Sequence, residues 1–212
     1  MEIINQLVEL LVYIILPLII PFAWWLGSGR KTSGFFAWVG LKKPVVQYKN
    51  NFILSLILII SVGTPAFIYI SFLLNNIDTL SSGSGLMLAT DQFLGKGTEA
   101  LVPVLIWAFF KTAFWEEVFF RGFLAKQLIN KFGFFIGNGI QGFLFALAHM
   151  PLITIIGWIN GIIIFFVAGL AGCTYCWLNE KQCLGSIIPS WLIHGCSNAV
   201  AGLLVMFNIL PS

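Results

Sequence analysis

Six apolar stretches, each long enough to form a helix across a bilayer, limit the fold of this 212-residue chain more than any other feature. A helix needs about 20 apolar residues to cross the hydrocarbon core. The stretches lie near residues 3–26, 52–74, 101–125, 132–150, 156–178 and 184–208. In lipid, only helices and closed barrels satisfy the backbone, and the alternating strands typical of a barrel are absent from the sequence. We therefore predict an all-α polytopic membrane bundle with about six transmembrane helices.

The composition supports this prediction and leaves no room for a second domain. Hydrophobic residues make up 59% of the chain and charged residues 9%, whereas a soluble domain carries about 25% charged residues. The connections between stretches are short, so we expect one membrane-embedded domain over residues 1–212, with its polar motifs at about 101–208. We expect a multi-pass protein of the cell membrane, in contact with the lipid bilayer. The abundance of Ile, Asn, Phe and Lys favours a bacterial origin.

The basic residues are concentrated on one side of the predicted bundle. The net charge is +3, and the loop after the first stretch holds Arg30, Lys31, Lys42, Lys43 and Lys49. This clustering is typical of positive-inside anchoring. No folded basic domain surrounds it, so we expect no nucleic-acid partner. Lys126, Lys131 and Lys181 belong to the other loops on that side, and the charge rule then places both termini outside.

The third apolar stretch contains charges that need a function or a partner. Residues 114–121 read Phe-Trp-Glu-Glu-Val-Phe-Phe-Arg, and each charged group in the hydrocarbon core costs at least ~2.5–3.5 kcal/mol on insertion scales. Glu117 and Arg121 have the i,i+4 spacing of a helical ion pair. Glu116 then has no partner on its own helix, which makes it a candidate general base.

Both histidines of the chain fall inside predicted spans. His149 shares one helical face with polar and small residues of the fourth span, and that face must point into the bundle. These residues are Asn138, Gln141, Gly142 and Phe145. His194 is followed by Asn198 one turn later, so the imidazole and the amide share a face. Ionisable residues within membrane spans usually have a function, and we predict that these do.

Spacing along the helices allows the candidate residues to meet. At a rise of 1.5 Å per residue, Glu116 lies roughly 22 Å and His149 roughly 27 Å from the turn near residue 131. His194 lies roughly 18 Å from the turn near residue 182 by the same count. The three side chains can therefore share a level toward the end of the bundle away from those turns, and nothing in the spacing forbids one site.

Other patterns predict packing rather than chemistry. Small residues on the fifth span, at Gly157, Gly161, Ala168 and Gly172, are typical of closely packed membrane helices. Cys173 and Cys176 have the spacing of zinc ligands, but a zinc site requires a loop that folds around the ion. Buried cysteines more often act as small hydrophobic residues.

Three motifs in the C-terminal half resemble the CPBP family, the CAAX-protease and bacteriocin-processing family also called ABI, which includes the type II CAAX prenyl endopeptidases. The motifs are Glu-Glu-x-x-x-Arg (Glu116, Glu117, Arg121), Phe-x-x-x-His (Phe145, His149) and His-x-x-x-Asn (His194, Asn198). They occur in order across residues 116–198. The resemblance implies an intramembrane peptidase of the glutamate type that acts on a membrane-bound peptide or protein.

The resemblance also implies a role for each motif residue. Glu116 with His149 would activate a water, while His194 and Asn198 would hold the oxyanion of the tetrahedral intermediate. Glu117 and Arg121 would brace the helix, and Phe145 would support the site. Small members of this family are linked to peptide maturation, bacteriocin processing and self-immunity. Access from the cytoplasm, which the prenyl endopeptidases imply, conflicts with the outer location that the charge rule gives the site.

Alternatives to this hypothesis concern the metal and the activity. Two histidines and a glutamate can form a zinc site, but the H-E-x-x-H spacing is absent and an asparagine amide is an unusual ligand. The resemblance implies a metal-free mechanism, so we predict neither a metal nor a cofactor. A non-catalytic scaffold or immunity protein would retain the motifs for structure alone. A proton-coupled carrier would use the Glu and His residues as a relay, but no matched pair of broken helices is evident.

Overall fold

The computed structural model describes residues 2–29, 33–46 and 91–207, and these residues contain helices and no strand. We label the helices in chain order as α1 (Glu2–Trp24), α2 (Phe35–Trp38), α3 (Gly97–Phe132), α4 (Phe134–Ala148), α5 (Ile153–Trp177) and α6 (Ile188–Met206). The second predicted span, 52–74, lies outside the described residues. Across the parts that the structure describes, the predicted all-α architecture is confirmed.

Three of the described helices are long and apolar enough to cross a membrane: Gly97–Phe132, Gly157–Gln182 and Ile188–Met206. They match the third, fifth and sixth predicted spans, which supports the helical membrane bundle. The first predicted span forms α1, which continues through Pro17 and Pro21. The fourth forms α4, with only 15 residues. It is shorter than predicted because Gly133, with a φ of 78°, separates it from α3.

Helix α3 departs from regular α-helical geometry near its charged residues. Its segments Trp107–Phe114 and Glu117–Ala125 are π-helical, and Glu116 lies at the junction between them. Such i→i+5 bonding is rare and is often found at functional sites. Nothing in the residue pattern predicts it.

Helices α3 and α6 pack closely because glycines on α6 face bulky side chains of α3. A Cβ atom added at Gly195 would lie 2.2 Å from the Phe109 ring, and one added at Gly202 would lie 2.6 Å from Val104. The Trp191 indole donates a 2.7 Å hydrogen bond to the Phe109 carbonyl. Since residue numbers rise along α3 as they fall along α6, the two helices run antiparallel.

Helices α4 and α5 are joined by the polar face that the sequence predicts for the fourth span. Asn138 Nδ2 donates to the Cys173 carbonyl at 3.0 Å, and Gln141 Nε2 donates to the Gly172 carbonyl at 2.8 Å. Both side chains are buried, which confirms that this face points into the bundle. The expectation that Gly157 serves close packing is wrong. Its φ of 80° marks a kink in α5, and an added Cβ would meet no atom of the described residues within 4 Å.

The loop between α5 and α6 lies beside the α2 segment and the C-terminal half of α3. The Ile187 N–H donates to the Gly40 carbonyl at 2.9 Å. The Lys126 ammonium donates to the Gly185 carbonyl at 2.9 Å. These contacts bring the described parts of the predicted basic loops together at one end of the bundle.

Candidate active site

Glu117 is the most connected residue of the site and is fully buried. Its Oε1 lies 3.0 Å from Nη1 of Arg121, which is the ion pair that the i,i+4 spacing predicts. The same Oε1 lies 3.0 Å from Nδ1 of His194. Its Oε2 accepts a 2.6 Å hydrogen bond from the Ser190 hydroxyl. Both carboxylate oxygens are therefore bonded, and they join α3 to α6.

Arg121 is buried with Glu117 and stacks on aromatic rings. Its guanidinium carbon lies 3.9 Å from the centroid of the Phe145 ring and 5.4 Å from that of Tyr175. Its nitrogen atoms have no hydrogen-bond partner of good geometry among the described residues. The ion pair and the cation–π contact with Phe145 are thus what compensate this buried charge.

His194 lies between the two glutamates. An ionised carboxylate only accepts hydrogen bonds, so the contact with Glu117 places a proton on Nδ1. On the other side of the ring, Nε2 lies 3.8 Å from Oε2 of Glu116. That distance is too long for a direct hydrogen bond. Oε2 of Glu116 is buried and has no hydrogen-bond partner within the described part of the chain.

His149 follows the end of α4, and its ring, like that of His194, packs against the ring of Phe145. Its Nδ1 is 2.8 Å from the Phe145 carbonyl, and since a carbonyl only accepts, Nδ1 carries the proton. The centroid of the Phe145 ring lies 4.7 Å from that of His149 and 6.2 Å from that of His194. Among the contacts of the described residues, none joins His149 to Glu116. The imidazole that the structure brings beside Glu116 is His194.

Asn198 is held by a residue that sequence reasoning missed. Its Nδ2 donates a 2.8 Å hydrogen bond to Oγ1 of Thr112 on α3. The Thr112 hydroxyl donates in turn to the Ala108 carbonyl, at 2.9 Å. An amide nitrogen has two N–H groups, so this contact orients Asn198 and leaves it a second donor.

Two further polar residues missed from the sequence contact the site from the Glu117 side. Asn179, in the π-helical segment Leu178–Gln182 that continues α5, donates a 2.7 Å hydrogen bond to the Ser190 hydroxyl. Ser190 precedes His194 by four residues, and Thr112 precedes Glu116 by four residues. This i,i+4 spacing places each of them on the helical face of a motif residue, so the sequence held a signal for Ser190 and for Thr112. Asn179 offered no such signal, because its contact joins two different helices.

The depth of His194 differs from the sequence expectation. Residues 183–187 do not belong to a helix, and α6 begins only at Ile188. His194 therefore lies six residues, or roughly 9 Å, from the start of its helix, and not roughly 18 Å from a turn. Ser190 lies even closer to that start. His194 is thus nearer to the start of α6 than expected. Glu116, in contrast, lies well before the end of α3 at Phe132, and His149 follows the end of α4 that is away from Gly133. The expected location of the whole site stays a prediction.

The cysteines lie apart from these contacts. All four are free thiols, and Cys173 makes a 3.6 Å contact with the Asn138 carbonyl. Burial raises the pKa of the Cys183 thiol, which lies in the loop before α6. Among the described residues, no cluster of three or more His, Cys, Asp or Glu side chains is arranged to hold a metal ion.

The fold and the site together define a helical membrane protein with a buried centre of glutamate and histidine. Residues 98–200 match the family model described as Type II CAAX prenyl endopeptidase Rce1-like. This match confirms the resemblance to the CPBP peptidases that the motifs predict, and it supports a CAAX-type intramembrane protease. All seven motif residues lie inside the matched region. No curated protein matches the chain significantly, and neither does a solved structure.

Proposed function

We propose that this protein is an intramembrane endopeptidase that hydrolyses a peptide bond in a membrane-associated peptide or protein by means of a water activated by Glu116. The observation that carries the proposal is the buried Oε2 of Glu116, which lacks a hydrogen-bond partner in the described structure and lies 3.8 Å from Nε2 of His194. Leaving a buried carboxylate oxygen unbonded costs free energy. A water bonded to both atoms would satisfy it.

The proposed reaction uses Glu116 as base and then as acid. Its carboxylate takes a proton from the water while the water oxygen attacks the carbonyl carbon of the scissile bond. The resulting tetrahedral intermediate carries its negative charge on the former carbonyl oxygen. Glu116 then gives the proton to the leaving nitrogen as the C–N bond breaks. A low-dielectric site surrounded by helices strengthens each of these interactions.

The other motif residues are proposed to orient the water and the oxyanion. His194 is anchored through Nδ1 on Glu117, so its Nε2 faces the position of the water. His149, anchored on the Phe145 carbonyl, likewise presents Nε2 and is proposed to contact the water or the substrate from the side of Phe145. The second N–H of Asn198 is the proposed donor to the oxyanion. Glu117 and Arg121 brace α3.

The position of His194 near the start of α6 supports access from the side of the basic loops. His194 lies roughly 9 Å from the start of α6, and the neighbouring loop contacts Lys126 through Gly185. By the positive-inside rule this end is cytoplasmic. We therefore propose a multi-pass protein of a bacterial cell membrane with a substrate presented from the cytoplasm. The proposed settings are peptide maturation, bacteriocin processing or self-immunity, and a prenylated CAAX peptide is the first substrate to test.

The test compares Glu116→Gln with the wild-type protein, both purified in detergent. Glutamine keeps the volume of the side chain but cannot take a proton, and a general base contributes about 10²–10⁴-fold. We expect cleavage of a prenylated CAAX peptide, followed by mass spectrometry, to fall by that factor while protein yield stays normal. Glu99→Gln, at an exposed position near the start of α3, is the matched control. Full activity in Glu116→Gln would exclude Glu116 as the base, and a wild type that cleaves no peptide would overturn the function.

A further inference from the structure

A chain of three hydrogen bonds reaches His194 from a helix that carries none of the motif residues. Asn179 Nδ2 donates to Ser190 Oγ at 2.7 Å, Ser190 Oγ donates to Glu117 Oε2 at 2.6 Å, and His194 Nδ1 donates to Glu117 Oε1 at 3.0 Å. Asn179 and Ser190 are 1% and 0% exposed, so neither is at a surface that a substrate contacts.

The directions of these hydrogen bonds follow from the chemistry of the groups. An amide nitrogen can only donate, so Asn179 occupies a lone pair of the Ser190 oxygen. Ser190 has one proton, and it has two acceptors in reach: Glu117 Oε2 at 2.6 Å and the Ile187 carbonyl at 3.0 Å. The shorter contact, to a charged acceptor, is the stronger one. The Ser190 proton therefore points to Glu117.

Ser190 holds the second oxygen of the Glu117 carboxylate, because Arg121 and His194 both contact Oε1. Rotation of a glutamate carboxylate about its last bond has no sharp staggered minima. The bond from Ser190 holds Oε2 and thereby leaves Oε1 facing Nδ1 of His194. A carboxylate turned about this bond would meet Nδ1 of His194 with poorer geometry and would favour its tautomer less strongly, because the hydrogen bond to one ring nitrogen decides which nitrogen is protonated.

We propose that Ser190 and Asn179 are positioning residues, which hold the Glu117 carboxylate so that His194 keeps its proton on Nδ1 and presents Nε2 toward Glu116. The inference rests on the proposed peptidase function. It assigns to α5 a part in the reaction, in addition to its packing against α4.

The kinetic test is Ser190→Ala in the purified protein. Loss of a residue that orients a reactive group typically lowers activity by about 10–100-fold. We expect that loss in kcat with little change in KM, because the substrate does not contact Ser190. The matched control is Ser186→Ala. Ser186 is equally buried and also donates a 2.6 Å hydrogen bond, but to the Lys42 carbonyl, away from Glu117.

Asn179→Leu provides a second variant that leaves the Ser190 hydroxyl in place. We expect a smaller loss of kcat than for Ser190→Ala. Because Asn179 acts through Ser190, the double variant should lose no more than Ser190→Ala alone. A kcat near the wild-type value in both single variants, or an equal loss in Ser186→Ala, would overturn the inference while the activity of the wild type still supported the proposed function.

A spectroscopic measurement tests the same inference without catalysis. The chain has only two histidines, so ¹⁵N-histidine labelling gives signals from two imidazole rings, which the His149→Gln variant assigns. We expect the Nδ1-protonated form of His194 in the wild type and in Ser186→Ala, and a mixture of tautomers in Ser190→Ala. An unchanged His194 signal in Ser190→Ala would contradict the proposal, even if no peptide substrate had been found.

Discussion

Two polar networks lie within the helices of this bundle, and they differ in what their side chains bond. Between α4 and α5, Asn138 and Gln141 donate to backbone carbonyls of the neighbouring helix. Between α3 and α6, Glu117 bonds the side chains of Arg121, His194 and Ser190. A bond to the backbone fastens one helix to another. A bond between side chains also orients an ionisable group, which is what a reaction requires.

Both networks contain buried oxygen atoms without a hydrogen-bond partner among the described residues, and these atoms differ in charge. Gln141 Oε1 and Asn179 Oδ1 are buried without a hydrogen-bond partner in the described structure, as is Glu116 Oε2. The penalty for a neutral amide oxygen is about 1–3 kcal/mol, and it is larger for a charged group. Glu180 Oε1 is also unbonded within the described part of the chain, but it lies 3.9 Å from the Lys126 ammonium, whereas Glu116 Oε2 faces Nε2 of His194. The unbonded state of the Glu116 oxygen is therefore the one that calls for a functional explanation.

The largest effect on folding is expected from the site network. Arg121→Ala leaves the Glu117 charge buried without its ion-pair partner, which typically costs about 3–5 kcal/mol. We expect little folded protein in size-exclusion chromatography and a lower unfolding midpoint in detergent. Adding Glu117→Gln should recover part of the loss, because it removes the unpaired charge. The exposed Lys131→Ala on the same helix is the control, and an unaltered midpoint in Arg121→Ala would refute the bracing role.

A smaller effect is expected where α4 and α5 touch. In Gly142→Ala the new Cβ would lie 2.3 Å from the Cys173 sulfur and 3.1 Å from the Gly169 carbonyl oxygen. Overpacking of this kind typically costs about 1–3 kcal/mol. We expect a lower unfolding midpoint but an unchanged kcat per folded molecule. The new Cβ of Gly139→Ala meets no atom of the described residues within 4 Å, so this variant should show no such loss. Partial recovery of the unfolding midpoint on adding Cys173→Ala would show that the clash is with Cys173. A loss of kcat per folded molecule in Gly142→Ala would contradict the distinction between the two networks.

The smallest effect is expected from the bonds of that interface. Gln141→Leu removes the donor to the Gly172 carbonyl, and hydrogen bonds between membrane helices contribute about 0.6 kcal/mol on average and up to ~1.7 kcal/mol. The shift of the unfolding midpoint should be small, with kcat unchanged. Asn130→Leu, at an exposed position, controls for the change in polarity. A loss of stability as large as that of Arg121→Ala would show that the two networks are energetically alike.

The sequence predicts the features that depend on one helix at a time. Hydropathy locates the described spans, and i,i+4 spacing predicts both the Glu117–Arg121 pair and the buried face of α4. The sequence does not predict which histidine lies beside Glu116, because that depends on how α4 and α6 are rotated about their axes relative to α3. The start of α6 at Ile188 was also missed, since residues 183–187 are too short a loop to interrupt the apolar pattern.

The π-helical segments of α3 make the site depend on the winding of a helix as well as on its residues. In an α-helix each residue turns the chain by about 100°, so gaining or losing one residue in the winding before Glu116 would rotate the two glutamates by about that angle. Glu117 would then leave Ser190 and His194, although no amino acid had changed. The winding of α3 therefore selects which of the two adjacent glutamates faces Ser190 and His194. The backbone between Trp107 and Ala125 determines that the Glu117 carboxylate is enclosed by bonding partners and that Glu116 Oε2 is left without one among the described residues.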